Sequence, residues 1–231
     1  MKVGQISFKK LSDKSDYLQL DICGLSTEEA LSKYNAYGKK IPVILHGDWT
    51  KKGCSENNLE ERKEDYISII KELKKVTKVL GFTLHPPKKS KMDMDRVTEI
   101  VKDIEKQTNT NIFVENRSSK AINLSNAEEV ISYSKGHKMT IDIPQLYISC
   151  GYNQKELLRT LSKINMTNVK EIHLANIKRD GSHTYVGRKL NDGELDIKTI
   201  LKKLPKRAYY TLEILGQTNT FETNRELLQS L

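Results

Sequence analysis

Short apolar runs alternate with longer amphipathic stretches along almost the whole chain. The runs fall at 2–8, 17–23, 42–45, 82–84, 111–114, 139–141, 169–172 and 209–212, bounded by polar loops, and each reads as a strand. Pro42-Val43-Ile44-Leu45 is continuously apolar, as a strand covered on both faces would be. Between the runs the period changes. Tyr66, Ile69, Ile70, Leu73 and Val76 recur at helical spacing and predict a helix over 59–80, with Gly81 as its stop. Val97, Ile100, Val101 and Ile104 mark a second helix, and Leu157, Leu158, Leu161 and Ile164 a third. Shorter helices are expected over 27–37, 127–134 and 223–231, and Asp196 caps one that carries Ile197, Ile200, Leu201 and Leu204.

Eight strands with helices between most of them imply right-handed parallel crossovers. In 231 residues that count suits a closed α/β cylinder, a single-domain (β/α)8 TIM barrel spanning 1–231. The first crossover is too short for a full helix, and no Pro/Gly/Ser-rich linker divides the chain.

Charge adds a question about partners. With 39 Lys+Arg against 30 Asp+Glu the net charge is +9. That suits nucleic acid or sugar phosphates, or a lysine-rich solvated surface. Three scattered cysteines (Cys23, Cys54, Cys150) make no disulfide framework. No run approaches the length of a membrane span and no apolar leader follows Met1, so the expectation is a soluble cytoplasmic or nuclear protein without a membrane partner.

Six of the runs end on, or lead directly into, a side chain that can ligate a metal: His46, His85, Glu115, Asp142, His173 and Glu213. In a parallel barrel all of these ends meet at one mouth, where barrel chemistry sits. A lone strand-end histidine is more often a hydrogen-bonded structural residue; six at equivalent positions point to a shared site. The mixture of imidazole and carboxylate suits zinc, with manganese or iron as alternatives. Two ions are expected. His46, His85 and Glu115 would hold the first; Glu115, as a bridge, would hold the second with Asp142, His173 and Glu213. His137, in the turn Lys135-Gly136-His137-Lys138, lies outside this pattern.

In order, VILHGDW, TLHPP, VEN, TIDIPQ, EIHLAN, HTYVGRKLNDGELDI and TLEI resemble the xylose-isomerase-like barrel superfamily, and within it endonuclease IV, the metal-dependent abasic-site endonuclease. The resemblance runs from about Pro42 to Glu213. It implies the two ligand sets just named and makes His183 the histidine of a third zinc. Two departures bear on that third site. Gln145 stands where the family has a histidine, and Gly181 where it has an aspartate, with Asp180 one residue off. The third site is thus either lost or rebuilt from Asp180 and His183. The resemblance also places Trp49, beside Lys51 and Lys52, where the endonuclease branch stacks an aromatic ring on DNA. In the sugar isomerase and epimerase branch one metal is held by the equivalents of Glu115, Asp142, His173 and Glu213, the two glutamates move protons, and Arg179 matches a substrate-contacting arginine.

Three functions compete on this reading. The first is a phosphodiesterase that cuts DNA 5′ to an abasic site with a metal-activated water, with Glu115 and Glu213 central and Trp49, Gln145 and Arg179 touching substrate. It is favoured by the complete two-metal set and by cations in the mouth loops (Lys51, Lys52, Lys88, Lys89, Lys91, Arg117, Lys178, Arg179, Arg188, Lys189). The second is a metal-dependent isomerase or epimerase of a sugar or sugar phosphate, with Glu115 and Glu213 as acid and base. The third is a barrel that binds nucleic acid without catalysis.

Overall fold

We describe a computed structural model of the chain, in which residues 1–6, 11–47, 56–215 and 218–231 are described. Eight parallel strands close into a barrel: β1 (Lys2–Ile6), β2 (Tyr17–Asp21), β3 (Val43–His46), β4 (Val79–Leu84), β5 (Ile112–Glu115), β6 (Met139–Asp142), β7 (Val169–Leu174) and β10 (Tyr209–Leu212). Neighbours in sequence are neighbours in the barrel, and β1 closes it against β10. The predicted (β/α)8 architecture is present.

The outer layer is α1 (Thr27–Asn35), α2 (Leu59–Val76), α3 (Met94–Thr108), α4 (Ala127–Ser134), α5 (Ile143–Ser149), α6 (Gln154–Leu161), α7 (Ile197–Leu201) and α8 (Thr218–Ser230). Their starts are written in the sequence. Ser26 and Glu29 form a reciprocal capping box on α1, and Asp93, Asn126, Asn153 and the expected Asp196 accept from first-turn amides of α3, α4, α6 and α7. The apolar faces of these helices pack on the outward-pointing strand residues to form one continuous core. Inward-pointing residues make a second, mixed filling: the Tyr17 ring lies against Gly4, and the Phe113 ring against Gly81.

Gly81 corrects the predicted helix 59–80. Helix α2 stops at Val76, and Val79-Leu80-Gly81 opens β4. A Cβ on Gly81 would lie 2.4 Å from Phe113 Cε2, so the glycine makes room for a ring inside the barrel and does not end a helix. Two further elements escape the apolar pattern. One is α5, which follows β6 without a loop. The other is an antiparallel hairpin of β8 (Asn176–Asp180) and β9 (His183–Arg188), where a basic loop was expected. The strand predicted over 2–8 is described as far as Ile6; the rest lies in 7–10, outside the described residues.

Candidate metal centre

Strand alternation sends residues two apart to the same face, so the barrel interior is built in two layers near its C-terminal mouth. The deeper layer holds Gln19, Thr83, Thr140, Glu171 and Thr211, all buried. The outer layer holds His46, His85, Glu115, Asp142 and His173, with Glu213 just past the end of β10.

His46, Glu115 and His173 bring one ligand atom each to within 4.8 Å of one another, and so do Asp142, His173 and Glu213. His173 joins the two groups. Its Nδ1 lies 3.2 Å from Glu115 Oε2 and 3.2 Å from Glu213 Oε1, yet it is aligned for a hydrogen bond with neither. A buried nitrogen facing two carboxylate oxygens at that range matches the edge of a coordination shell, since four ligands about 2.0–2.1 Å from zinc lie roughly 3.3 Å apart. The donor atoms and their spacing therefore fit a divalent cation held by Asp142, His173 and Glu213, with Glu115 Oε2 facing the same His173 nitrogen.

The other nitrogen of His173 looks down into the deeper layer. Nε2 is 3.3 Å from Glu171 Oε2 and 2.6 Å from the Gln19 amide. Glu171 is fully buried and is held by hydroxyl donors from Thr83, Thr140 (3.2 Å) and Thr211 (2.5 Å) and by Gln19 Nε2 (3.2 Å). Tyr17 Oη continues the network at 2.8 Å from Thr211. An anion facing one ring nitrogen sets the tautomer and leaves the other for a cation.

Burial pushes the carboxyl of Glu115 up, but the charges of the His85 and His173 imidazoles, with the His46 ring also in contact, overcome it and hold the group well below the usual range. His173 is driven the other way: burial disfavours its charge, yet Glu213, Glu115 and Glu171 raise it well above the ordinary histidine value. Asp142 is pushed up to about 8, by burial first and then by the Glu115 and Glu213 charges. This cluster has more acid than it can ionise without a cation.

Asp142 is also fixed by local structure. Its side chain caps α5 by accepting from Gln145 N at 2.7 Å, and Asn116 clamps its backbone with an acceptor at 2.8 Å and a donor at 3.1 Å. Gln145 turns its Oε1 to the amide (3.1 Å) and hydroxyl (2.5 Å) of Ser118. Beside these residues a cavity of about 150 Å³ opens onto Asp142 and Glu213. Its remaining wall is Ile6, Arg117, Pro144, Gln145, Ala175, Val186, Gly187 and Leu215, so the hairpin strand β9 forms one side.

Of the other candidates, only His85 stays beside the cluster among the described residues. His85 Nε2 is 3.3 Å from Glu115 Oε2 and 3.1 Å from Arg117 Nη1. His183 is exposed at the hairpin tip, in register with Asp180, and its ring stacks on Tyr185 rather than joining the cluster. Arg179 grips Glu194 with Nε and Nη2 (each 2.9 Å from Oε2) and lies over the Tyr152 ring at 4.5 Å, away from the cavity wall. Trp49, Lys51 and Lys52 lie outside the described residues. His137 stacks on Tyr133 at 4.4 Å, far from these groups in the fold. Sequence reasoning passed over Glu171, Gln19 and the three threonines, although counting two residues back from His85, Asp142, His173 and Glu213 lands on Thr83, Thr140, Glu171 and Thr211.

No helix among the described residues is long and apolar enough to cross a membrane. No family model and no curated protein sequence matches the chain. Solved structures do. An IolI protein with a bound zinc atom aligns over 100% of this chain and 95% of its own, with 14% identity and a TM-score of 0.67. A xylose isomerase domain protein from Planctomyces limnophilus covers the same shares at 13% identity and a TM-score of 0.68. A xylose isomerase domain containing protein from Salmonella typhimurium aligns over 94% of this chain and 86% of its own, at 12% identity and a TM-score of 0.59. What these chains share with this one, at such identities, is the fold, a closed (β/α)8 barrel.

Proposed function

We propose that the chain is a metal-dependent isomerase or epimerase of a small sugar or sugar phosphate. The observation that carries this reading is the meeting of Asp142, His173 and Glu213, with Glu115 Oε2 3.2 Å from the same His173 nitrogen, beside a small, partly apolar cavity lined by Asp142 and Glu213. The barrels similar to it include proteins named for xylose isomerase and one with bound zinc, which supports the same chemistry.

A divalent cation held by Glu115, Asp142, His173 and Glu213 would polarise the carbonyl and hydroxyl oxygens of the substrate. The protein's own groups do the rest. Glu213, whose side chain is 30% exposed, stands at the cavity wall and takes a proton from the carbon beside a carbonyl. Glu115, kept ionised by the imidazoles around it, is the second glutamate of the centre. Hydrogen removed from one carbon as a proton is restored to its neighbour or to the opposite face, so no outside oxidant or reductant is needed. Buried Ile6, Pro144 and Ala175 form the apolar floor of the cavity, exposed Val186 and Leu215 stand at its rim, and Arg117 and Gln145 offer polar contacts at the wall.

The test is solvent exchange. Metal-loaded protein is incubated in D2O with a panel of ketoses and ketose phosphates, and deuterium entry at the carbon beside the carbonyl is followed by NMR. Exchange on at least one member, abolished by Glu213→Gln, is expected; no exchange on any member overturns the reading.

A second reading, an endonuclease IV-like phosphodiesterase, is motivated by the His46 and His85 imidazoles 3.4 and 3.3 Å from Glu115 Oε2, and by the net charge of +9. Zinc- or manganese-dependent cutting of an abasic duplex, without sugar exchange, would favour it.

A further inference from the structure

The two-ion reading needs both oxygens of Glu115, one for each ion, and the ligating nitrogens of His46 and His85 for the first. Arg117 competes for two of these atoms. Glu115 Oε2 is the atom approached by His46 (3.4 Å), His85 (3.3 Å) and His173 (3.2 Å). Its other oxygen, Oε1, accepts from Arg117 Nη1 at 3.2 Å. That same guanidinium nitrogen lies 3.1 Å from His85 Nε2. One positively charged group therefore satisfies the two atoms through which a bridging carboxylate and a strand-end histidine would reach a first ion.

Arg117 is held there by the fold. Its amide donates to the Leu124 carbonyl (3.1 Å), its carbonyl accepts from Ser149 Oγ (3.3 Å), and the next residue, Ser118, is tied to Gln145. On the other side Asn116, fully buried, is bonded to the backbone of Asp142. The side chain is only 25% exposed, so this is a placed arginine and not a cation of the loop surface. Arginine keeps its charge at any working pH, and its planar fork can serve an oxygen and a nitrogen at once.

We propose that Arg117 is a built-in cation that takes the place of a second metal ion, so that the centre is mononuclear. His46 then stays beside Glu115 Oε2 and His85 accepts from Arg117, neither as a ligand; the single ion sits with Asp142, His173, Glu213 and Oε2 of Glu115. A further divalent ion beside Glu115 Oε1 would meet the guanidinium charge at contact range, where like charges exclude each other. The proposal rests on the metal-binding reading of the cluster and refines it.

The test is metal stoichiometry. Purified chain is stripped with chelator, titrated with zinc and separately with manganese, and the bound metal is counted by elemental analysis after desalting. One ion per chain is expected for the wild type and two for Arg117→Met, with Arg117→Lys remaining at one. Two ions in the wild type, or one ion in a folded Arg117→Met chain, overturns the assignment. Should Arg117→Met not fold, as judged by circular dichroism, His85→Ala decides: one ion retained with affinity within about threefold supports the assignment, whereas a drop to fewer ions than the wild type overturns it. Two ions in a wild type that still exchanges sugar protons would sink the role of Arg117 and leave the isomerase standing. One ion without exchange on any sugar would do the reverse.

Discussion

A carboxylate sealed from solvent must either face positive charge and donors or carry a proton. Glu171 is such a group. Burial raises its carboxyl, but His173 and the hydroxyls of Thr211 and Thr83 bring it below the ordinary value, so it is ionised beneath His173. Glu171→Gln keeps the shape and removes the anion that fixes the His173 tautomer. We expect metal affinity to fall by about 10–100-fold, the usual cost of losing an outer partner of a ligating histidine, while the circular dichroism of the metal-free chain is unchanged. Competition against a chelating dye measures it, and an unaltered affinity would remove Glu171 from this role. Asp142 gives a second prediction. Its carboxyl is pushed from 3.8 up to about 8 by burial and by Glu115 and Glu213. A raised acid favours the protonated fold, so its contribution to stability is complete below pH ~4 and is lost as pH climbs through about 8. A cation must displace that proton, and also the one that the surrounding carboxylates keep on His173. Binding near pH 7 should therefore release about one to two protons per ion, and affinity should rise with pH up to about 8. Calorimetry in two buffers of different ionisation enthalpy reads the release; identical heats would refute it.

At the scale of elements, the hairpin shows both how the cavity is closed and why the sequence hid it. Gly187 has φ +76°, and a Cβ there would lie 2.7 Å from Leu215 Cγ and 3.1 Å from the Glu213 carbonyl; its own carbonyl accepts from Leu215 N at 2.9 Å. The strand β9 is thus seated directly on the segment that carries Glu213. Gly187→Ala should cost about 1–3 kcal/mol through overpacking and the left-handed backbone and, by shifting Glu213, should lower kcat for solvent exchange more than it changes bound metal. Thermal denaturation beside the deuterium assay separates the two effects, and a variant with wild-type kcat would show that the seat does not position Glu213. The hairpin itself carries His183, Thr184, Tyr185 and Val186 exposed, so no apolar face announces it, and Lys178-Arg179-Asp180 reads as a solvated loop. The barrel strands were legible for the opposite reason: both faces are covered, by helices outside and by packed side chains within. The outer ligands were legible because they sit where runs end. The deeper layer was not, because Thr83, Thr140 and Thr211 look like ordinary strand threonines, and Glu171 passes for a solvent-facing residue until the barrel closes around it. Helix α5 was missed because Asp142 serves at once as a strand end and as a helix cap, leaving no loop to signal the change.

Over the whole molecule the surplus of positive charge becomes less of an argument for nucleic acid than it is in the bare sequence. Several cations assigned to the mouth are engaged by acids of the same chain: Arg117 with Glu115, Arg179 with Glu194, Arg188 with Asp192, and Lys89 with Glu129. Others pair along the helical surface, as Lys63 does with Asp103 and Lys138 with Glu105. Such pairing lowers the potential that a polyanion would feel, although each exposed pair adds little to stability. A phosphodiesterase that grips duplex DNA neutralises phosphates with cations and shows a steep loss of affinity with salt. Here we expect weak duplex binding that vanishes as salt approaches roughly 0.2 M, equal for intact and abasic DNA. Fluorescence anisotropy over a salt series, with labelled duplexes with and without one abasic site, makes the comparison. Tighter binding to the abasic duplex that persists at physiological salt would mean that the mouth is built for a strand and not for a sugar. Equal, salt-labile binding together with deuterium exchange on a ketose would assign the excess lysine to a solvated surface and the chemistry to the cavity beneath β9.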